Sequence, residues 1–218
     1  MEEQPAPGQI VILNGAPRAG KSSIVSVIQD SFEGVWMNLG VDVFARGVTP
    51  KRLQPGVGLR PGPGPEKGGD NLELEPLVPI LYFAMYDSVA AHSKLGLNVI
   101  VEGGLHGAFH PTLLSECAKR LARLPVLFVG VRCPIEEIMN RRDAGPPGRY
   151  AVSTPDDQIP PPVQLWQEEV HKPGIYDLEV DTSQLSPQEC AEQIRSRLAD
   201  GPGTAFERLA ESGTGGAP

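Results

Sequence analysis

Cysteine is scarce and scattered. The 218 residues hold three, Cys117, Cys133 and Cys190, an odd number with no CxxC spacing, which argues against a disulfide framework and against a zinc site. Basic charge is short as well. Nineteen Lys and Arg stand against 27 Asp and Glu, a net charge of −8. No nucleic-acid partner is therefore expected, because a phosphate backbone wants a basic face; a local cationic pocket for a small phosphate ligand remains compatible with that balance. Long apolar runs are missing too. The longest clear one, Leu124 to Val131, is far too short to span a bilayer, so no membrane association is expected. The opening MEEQPAPG is acidic and polar, unlike a secretory leader, and the expected compartment is the cytoplasm. There is no internal repeat.

Glycine and proline are plentiful instead. The 25 glycines and 23 prolines make up about 22% of the chain against a usual ~12%. They mark loops around a core that the 40% hydrophobic and 21% charged residues suffice to build as one domain.

Gln9 to Asn14 (QIVILN) is a continuous apolar run of strand length, as central parallel strands buried on both faces require. Lys21 to Gln29 has helical spacing of Ile24, Val25, Val27 and Ile28. A short second strand is expected within Val35 to Val43, ending near Asp42, and a third over Asn98 to Glu102 (NVIVE). The fourth is expected over Pro125 to Arg132 and the last over Tyr176 to Val180. Helices are expected over Leu77 to Lys94, Pro111 to Leu121, Pro134 to Arg142, Val163 to His171 and Pro187 to Leu198. The last carries Ser186 and Glu189 at capping-box spacing. This alternation predicts an α/β fold: a doubly wound, five-stranded parallel sheet with helices on both faces, one domain over residues 9–200. Residues 1–8 are expected to be a tail. Two Pro/Gly-rich loops, about 49–75 and 143–162, interrupt the domain, with a weak hairpin signal at Val57–Leu59 and Leu72–Leu74. Residues 201–218 are expected to be a flexible tail with one helical turn at most.

Between the first strand and the first helix lies Gly15-Ala16-Pro17-Arg18-Ala19-Gly20-Lys21-Ser22. It matches GxxxxGK[ST] in the context that motif needs. Successive backbone amides, with Ser23 continuing the turn, form an anion nest at a helix amino terminus. Lys21 is expected to reach the β- and γ-phosphates of ATP, and the Ser22 hydroxyl to ligate Mg²⁺. No NKxD base-reading sequence and no LSGGQ-like signature are present, which sets GTPases and ABC-type ATPases aside. The length and a late arginine-bearing loop resemble small-molecule kinases, in which a lid excludes water from the nucleotide.

IVILNGAPRAGKSSIV, WMNLGVDVF, VIVEGG, VLFVGVRCP and VHKPGIYDLEVDTSQLSPQECAEQI follow in that order over residues 9–197. In these segments the chain resembles the chloramphenicol phosphotransferase-like family of P-loop kinases. The GVD and YDLEVDTS segments separate that family from other kinases. The resemblance implies ATP- and Mg²⁺-dependent phosphorylation of an antibiotic hydroxyl, as in self-resistance. It also implies a catalytic aspartate at Asp42 and a place beside the adenine for Asp181 and Thr182. Family members often show two adjacent aspartates after the third strand; this chain has Glu102-Gly103.

Asp42 is expected at the carboxyl end of the second strand, where a carboxylate can take the proton of an attacking hydroxyl; the bland alternative is a strand-end or capping residue. Val43 adjoins it. Glu102 and Gly103 close the third strand on the same edge, to hold Mg²⁺ through water, to touch the acceptor, or simply to cap the turn. His106 and His110 lie in the adjoining loop, His106 being the candidate for acceptor contact. Arg141, Arg142 and Arg149 flank the second loop, Arg141 and Arg142 being candidates for neutralising the moving phosphoryl group, or else solvated helix-end residues; Arg132 is a further candidate. Tyr82, Phe83, Met85 and Tyr86 share a helix as core packing, with Tyr82 and Tyr86 the candidates for an apolar acceptor pocket. Partners are thus a nucleoside triphosphate and a small hydroxylated acceptor; a homo-oligomer is compatible with the sequence. Two rivals share these motifs: a primary-metabolism nucleoside or sugar kinase, and a non-catalytic nucleotide-binding regulator in which Asp42 would be dispensable.

Overall fold

A computed structural model describes residues 5–48, 76–107, 110–145, 153, 158–172 and 174–212. The expected 49–75 loop with its hairpin, Arg149 and most of the 143–162 loop lie outside the described residues. Five strands form one sheet: β1 (Ile10–Asn14), β2 (Trp36–Asn38), β3 (Asn98–Gly103), β4 (Val126–Arg132) and β5 (Leu178–Asp181). Their order is β2-β3-β1-β4-β5, and every pairing is parallel. The helices are α1 (Lys21–Ser31), the single turn α2 (Val41–Val43) widening into Phe44–Val48, α3 (Leu77–Lys94), α4 (Leu113–Arg120), α5 (Ile135–Asp143), α6 (Pro161–Glu169), α7 (Pro187–Ala199) and α8 (Ala205–Ser212).

The continuous apolar strands are buried on both faces, and their alternation divides the core in two. Ile10, Ile12, Val99, Val101, Val126 and Phe128 meet α3, α4 and α8. Val11, Leu13, Ile100, Leu127, Val129 and Val131 meet α1, α5, α6 and α7. Central β1 is buried along its whole length, so the loop that follows it opens at the middle of the sheet's carboxyl edge, where ligands bind in such sheets. The α7 capping box is formed in full: Ser186 Oγ accepts from the Glu189 amide while the Glu189 carboxylate accepts from the Ser186 amide. Among the described residues no helix is long and apolar enough to cross a membrane.

Two expectations are corrected here. Residues 205–212 are a packed helix rather than tail: Ala205, Phe206 and Leu209 are buried, and the Phe206 ring lies 4.9 Å from Phe128 and 6.3 Å from Tyr86. Asp177 pins the start of α8, its Oδ1 accepting from the Thr204 and Ala205 amides while Oδ2 accepts from the Phe128 amide. Tyr82 and Tyr86, expected to line an acceptor pocket, are each 1% exposed and belong to the core beneath the sheet. They lie on the face of α3 that the apolar periodicity turns inward, so packing claims them.

Candidate active site

Parallel register builds the site. Asn14 stands opposite Gly103, so the loop after β1 emerges beside the end of β3, and the Gly15 amide donates to the Gly103 carbonyl at 3.3 Å. From Gly15 to Gly20 the chain turns back into α1, with Arg18 and Gly20 in left-handed conformation at φ 73° and 91°. The α1 amino terminus has no side-chain cap, which leaves its first amides as donors toward an anion. Lys21 Nζ donates to the carbonyls of Gly15 and Ala16 at 2.8 and 2.9 Å. Burial pulls its ammonium down to about 8, against the opposing pull of Glu102 and then Asp42. Both carboxylates therefore bear on the same lysine.

Ser22 Oγ donates to Glu102 Oε2 at 2.6 Å, and Glu102 is buried. A hydroxyl and a carboxylate side by side are the hard oxygen donors Mg²⁺ takes when phosphates and water complete its shell. The residues present thus fit the ion. Among the described residues there is no cluster of three His, Cys, Asp or Glu that would cage a metal unaided.

Asp42 differs from expectation in its setting. β2 stops at Asn38 and the chain turns at Gly40, so Asp42 sits in the first turn of α2 rather than at a strand end. Gly40 permits the approach, because a Cβ there would lie 2.6 Å from Glu102 Cγ. The Asp42 carboxylate accepts from Arg46 one turn on, at 3.0 Å, while neighbouring Val43 is 40% exposed.

Arg18, Gly20, Lys21, Ser22, Ser23, Arg141, Thr182, Leu185 and Pro187 enclose a cavity of about 330 Å³. Arg141 is held in its wall by Glu137 Oε1 at 2.9 Å, Thr182 Oγ1 at 3.1 Å and the Thr182 carbonyl at 2.8 Å. A guanidinium so fixed presents a flat cationic face suited to a ring or phosphate rather than a swinging arm. Arg142, its expected companion, is 1% exposed and belongs to the buried side of α5, because adjacent helical positions diverge by about 100°. Thr182 lines the cavity, whereas the Asp181 carboxylate accepts from the Ser183 amide and hydroxyl and is absent from the lining.

Sequence reasoning missed the polar network behind the loop. Asn14 Nδ2 donates to the Leu105 and Val170 carbonyls, at 3.2 and 2.8 Å, and lies 3.0 Å from the Tyr176 hydroxyl; its Oδ1 accepts from the Leu105 amide at 2.7 Å. The Tyr176 hydroxyl is 2.9 Å from His171 Nδ1. Burial first, then the charge of Arg132, pushes His171 down to about 4, so it is neutral at pH 7. One buried polar residue ending an apolar strand was the available signal: it anchors the loop around Leu105 and the end of α6 to the phosphate loop. His106 is buried with its ring edge-on to Trp166 at 4.6 Å, a packing role in place of the expected acceptor contact. His110 is half-buried in the same loop. Arg132 pairs with Glu179 at 2.5 Å across the last two strands.

Residues 8–199 match the family model described as chloramphenicol phosphotransferase-like protein. The chain belongs to the chloramphenicol phosphotransferase-like family. A Mycobacterium tuberculosis protein, provisionally named an O-phosphotransferase, is 26% identical over 93% of this chain and 88% of its own. Among solved structures, the M. tuberculosis APS kinase in complex with AMPPNP and APS superposes with TM-score 0.57 at 18% identity, covering 89% of this chain and 99% of that one. The Deinococcus radiodurans tunicamycin resistance protein does so with TM-score 0.57 at 19% identity, over 88% and 95%. A Janibacter sugar kinase gives 0.57 at 18%, over 88% and 95%. Family membership and this P-loop kinase fold support a nucleotide-binding phosphotransferase.

Proposed function

We propose that this member of the family is an ATP-dependent O-phosphotransferase that moves the γ-phosphoryl group to a hydroxyl of a small antibiotic. The observation that carries the reading is the convergence of Lys21, Ser22, Glu102 and Asp42 at one end of the sheet, with Lys21 feeling both carboxylates. Lys21 and the loop amides bind and orient the polyphosphate. Ser22 and Glu102 would hold Mg²⁺, which when bound neutralises phosphate charge. Asp42, steadied by Arg46, takes the proton of the acceptor hydroxyl as its oxygen attacks; the transition state is loose, so placement counts for more than basicity. Arg141 offers a fixed cationic wall to the nucleotide. A reaction consuming ATP suits a cytoplasmic protein. An antibiotic acceptor is favoured by the family description and by a structural relative titled as a tunicamycin resistance protein.

The test is mass spectrometry of a panel of hydroxylated antibiotics, beside a panel of nucleosides and sugars, after incubation with ATP and Mg²⁺. One antibiotic gaining one phosphate is expected; a product only among the metabolites would overturn the acceptor class. Asp42→Asn should keep ATP affinity and lose about 10²-fold or more in kcat, the scale of general-base catalysis. Near-native turnover in that variant would remove Asp42 from the chemistry.

A further inference from the structure

Arg18 holds a conformation that works against its own side chain. Its φ of 73° crowds any residue with a Cβ, while glycine adopts it freely. Such strain persists where the surroundings over-determine it, and it gathers at ligand sites. Here the surroundings are specific. Arg18 Nη2 donates to the Arg141 carbonyl in the last turn of α5, where a cation also offsets the helix dipole. Gly145 keeps the path open, since a Cβ there would stand 3.1 Å from that Nη2. The bond is returned: Arg141 Nη1 lies 3.4 Å from the Arg18 carbonyl. Thr182, which accepts from Arg141, donates from Oγ1 to the Ala19 carbonyl at 2.8 Å. The phosphate loop, α5 and the turn after β5 are thus laced together at the cavity rim by two arginines, each bonded to the other's backbone.

We propose that Arg18 is a positioning residue of the nucleotide site: by fixing the last turn of α5 it sets the Arg141 guanidinium into the cavity wall, so that affinity for the nucleoside-diphosphate part common to substrate and product depends on Arg18. This rests on the reading of the cavity as a nucleotide site. Because glycine suits the backbone, Arg18→Gly removes the side chain without adding strain.

The experiment is calorimetric titration of the full chain with Mg²⁺-ADP and with Mg²⁺-AMPPNP. It compares wild type, Arg18→Gly, Arg18→Lys, Arg141→Ala and the Arg18→Gly/Arg141→Ala double variant, each with a thermal melt. Arg18→Gly should still fold, as its thermal melt checks, and bind both nucleotides about tenfold more weakly, by the same factor. Arg18→Lys, keeping one donor for the Arg141 carbonyl, should recover part of the loss. The double variant should bind no worse than Arg141→Ala alone. Unchanged affinities in Arg18→Gly, a loss confined to AMPPNP, or additive losses in the double variant would each overturn the proposal. Wild type binding neither nucleotide would instead overturn the nucleotide-site reading itself.

Discussion

Lys21, proposed above to hold the polyphosphate, destabilises the folded protein by its burial. Burial brings its ammonium from an ordinary 10.5 to about 8. At about 1.4 kcal/mol per pH unit, that gap is a penalty of about 3 kcal/mol on the folded state at pH 7. Its two bonds to the Gly15 and Ala16 carbonyls offset the penalty by about 1 kcal/mol each. Lys21→Met keeps the stem and loses the charge, so it should abolish nucleotide binding while raising stability at pH 7 by about 1 kcal/mol. The sign reverses with pH. The folded pKa lies below the unfolded one, so between about pH 8 and 10.5 the unfolded wild type holds more protons, and this group alone makes the wild type more stable as pH rises. The variant lacks that rise, so the two stability curves should cross within the window. Urea unfolding of both proteins at pH 7, 8.5 and 10 measures it. Tyrosines and cysteines that titrate nearby are common to both proteins, so the difference isolates Lys21. A difference that does not change with pH, or a variant less stable than wild type at pH 7, would refute the reasoning.

Other substitutions probe separate parts of the argument. Glu102→Gln keeps an acceptor for the Ser22 hydroxyl but drops the charge, and should raise the half-saturating Mg²⁺ concentration at least about tenfold; an unchanged Mg²⁺ titration would take Glu102 out of the proposed metal site. Phe206→Ala should destabilise by about 3–5 kcal/mol in urea unfolding, because it empties a position between Phe128 and Tyr86; a change below about 1 kcal/mol would mean that α8 docks without holding the core. Ser186→Ala breaks the capping box and should lower the melting temperature by about 2–4 °C, the effect of about 1 kcal/mol in a chain of this size.

The phosphate loop, the five strands and most helices could be read from the chain because each depends on neighbours in sequence. A buried parallel strand is a continuous apolar run; a loop that cradles phosphate needs its glycines and its Lys-Ser pair at fixed spacing; a capping box is decided within four residues. Even α8 was written in Phe206, Leu209 and Ala205, but glycine and proline on either side masked so short a helix.

What the sequence could not specify was the side on which each residue falls once distant segments meet. Arg141 and Arg142 are equivalent as text, and only the roll of α5 against the sheet sends one to the cavity wall and buries the other. Glu102 found Ser22, 80 residues away along the chain, because β3 pairs in register with β1. Local spacing fixes the chemistry available to this protein, while sheet register and helix roll, set by burial of the whole core, decide which groups come within reach of one another.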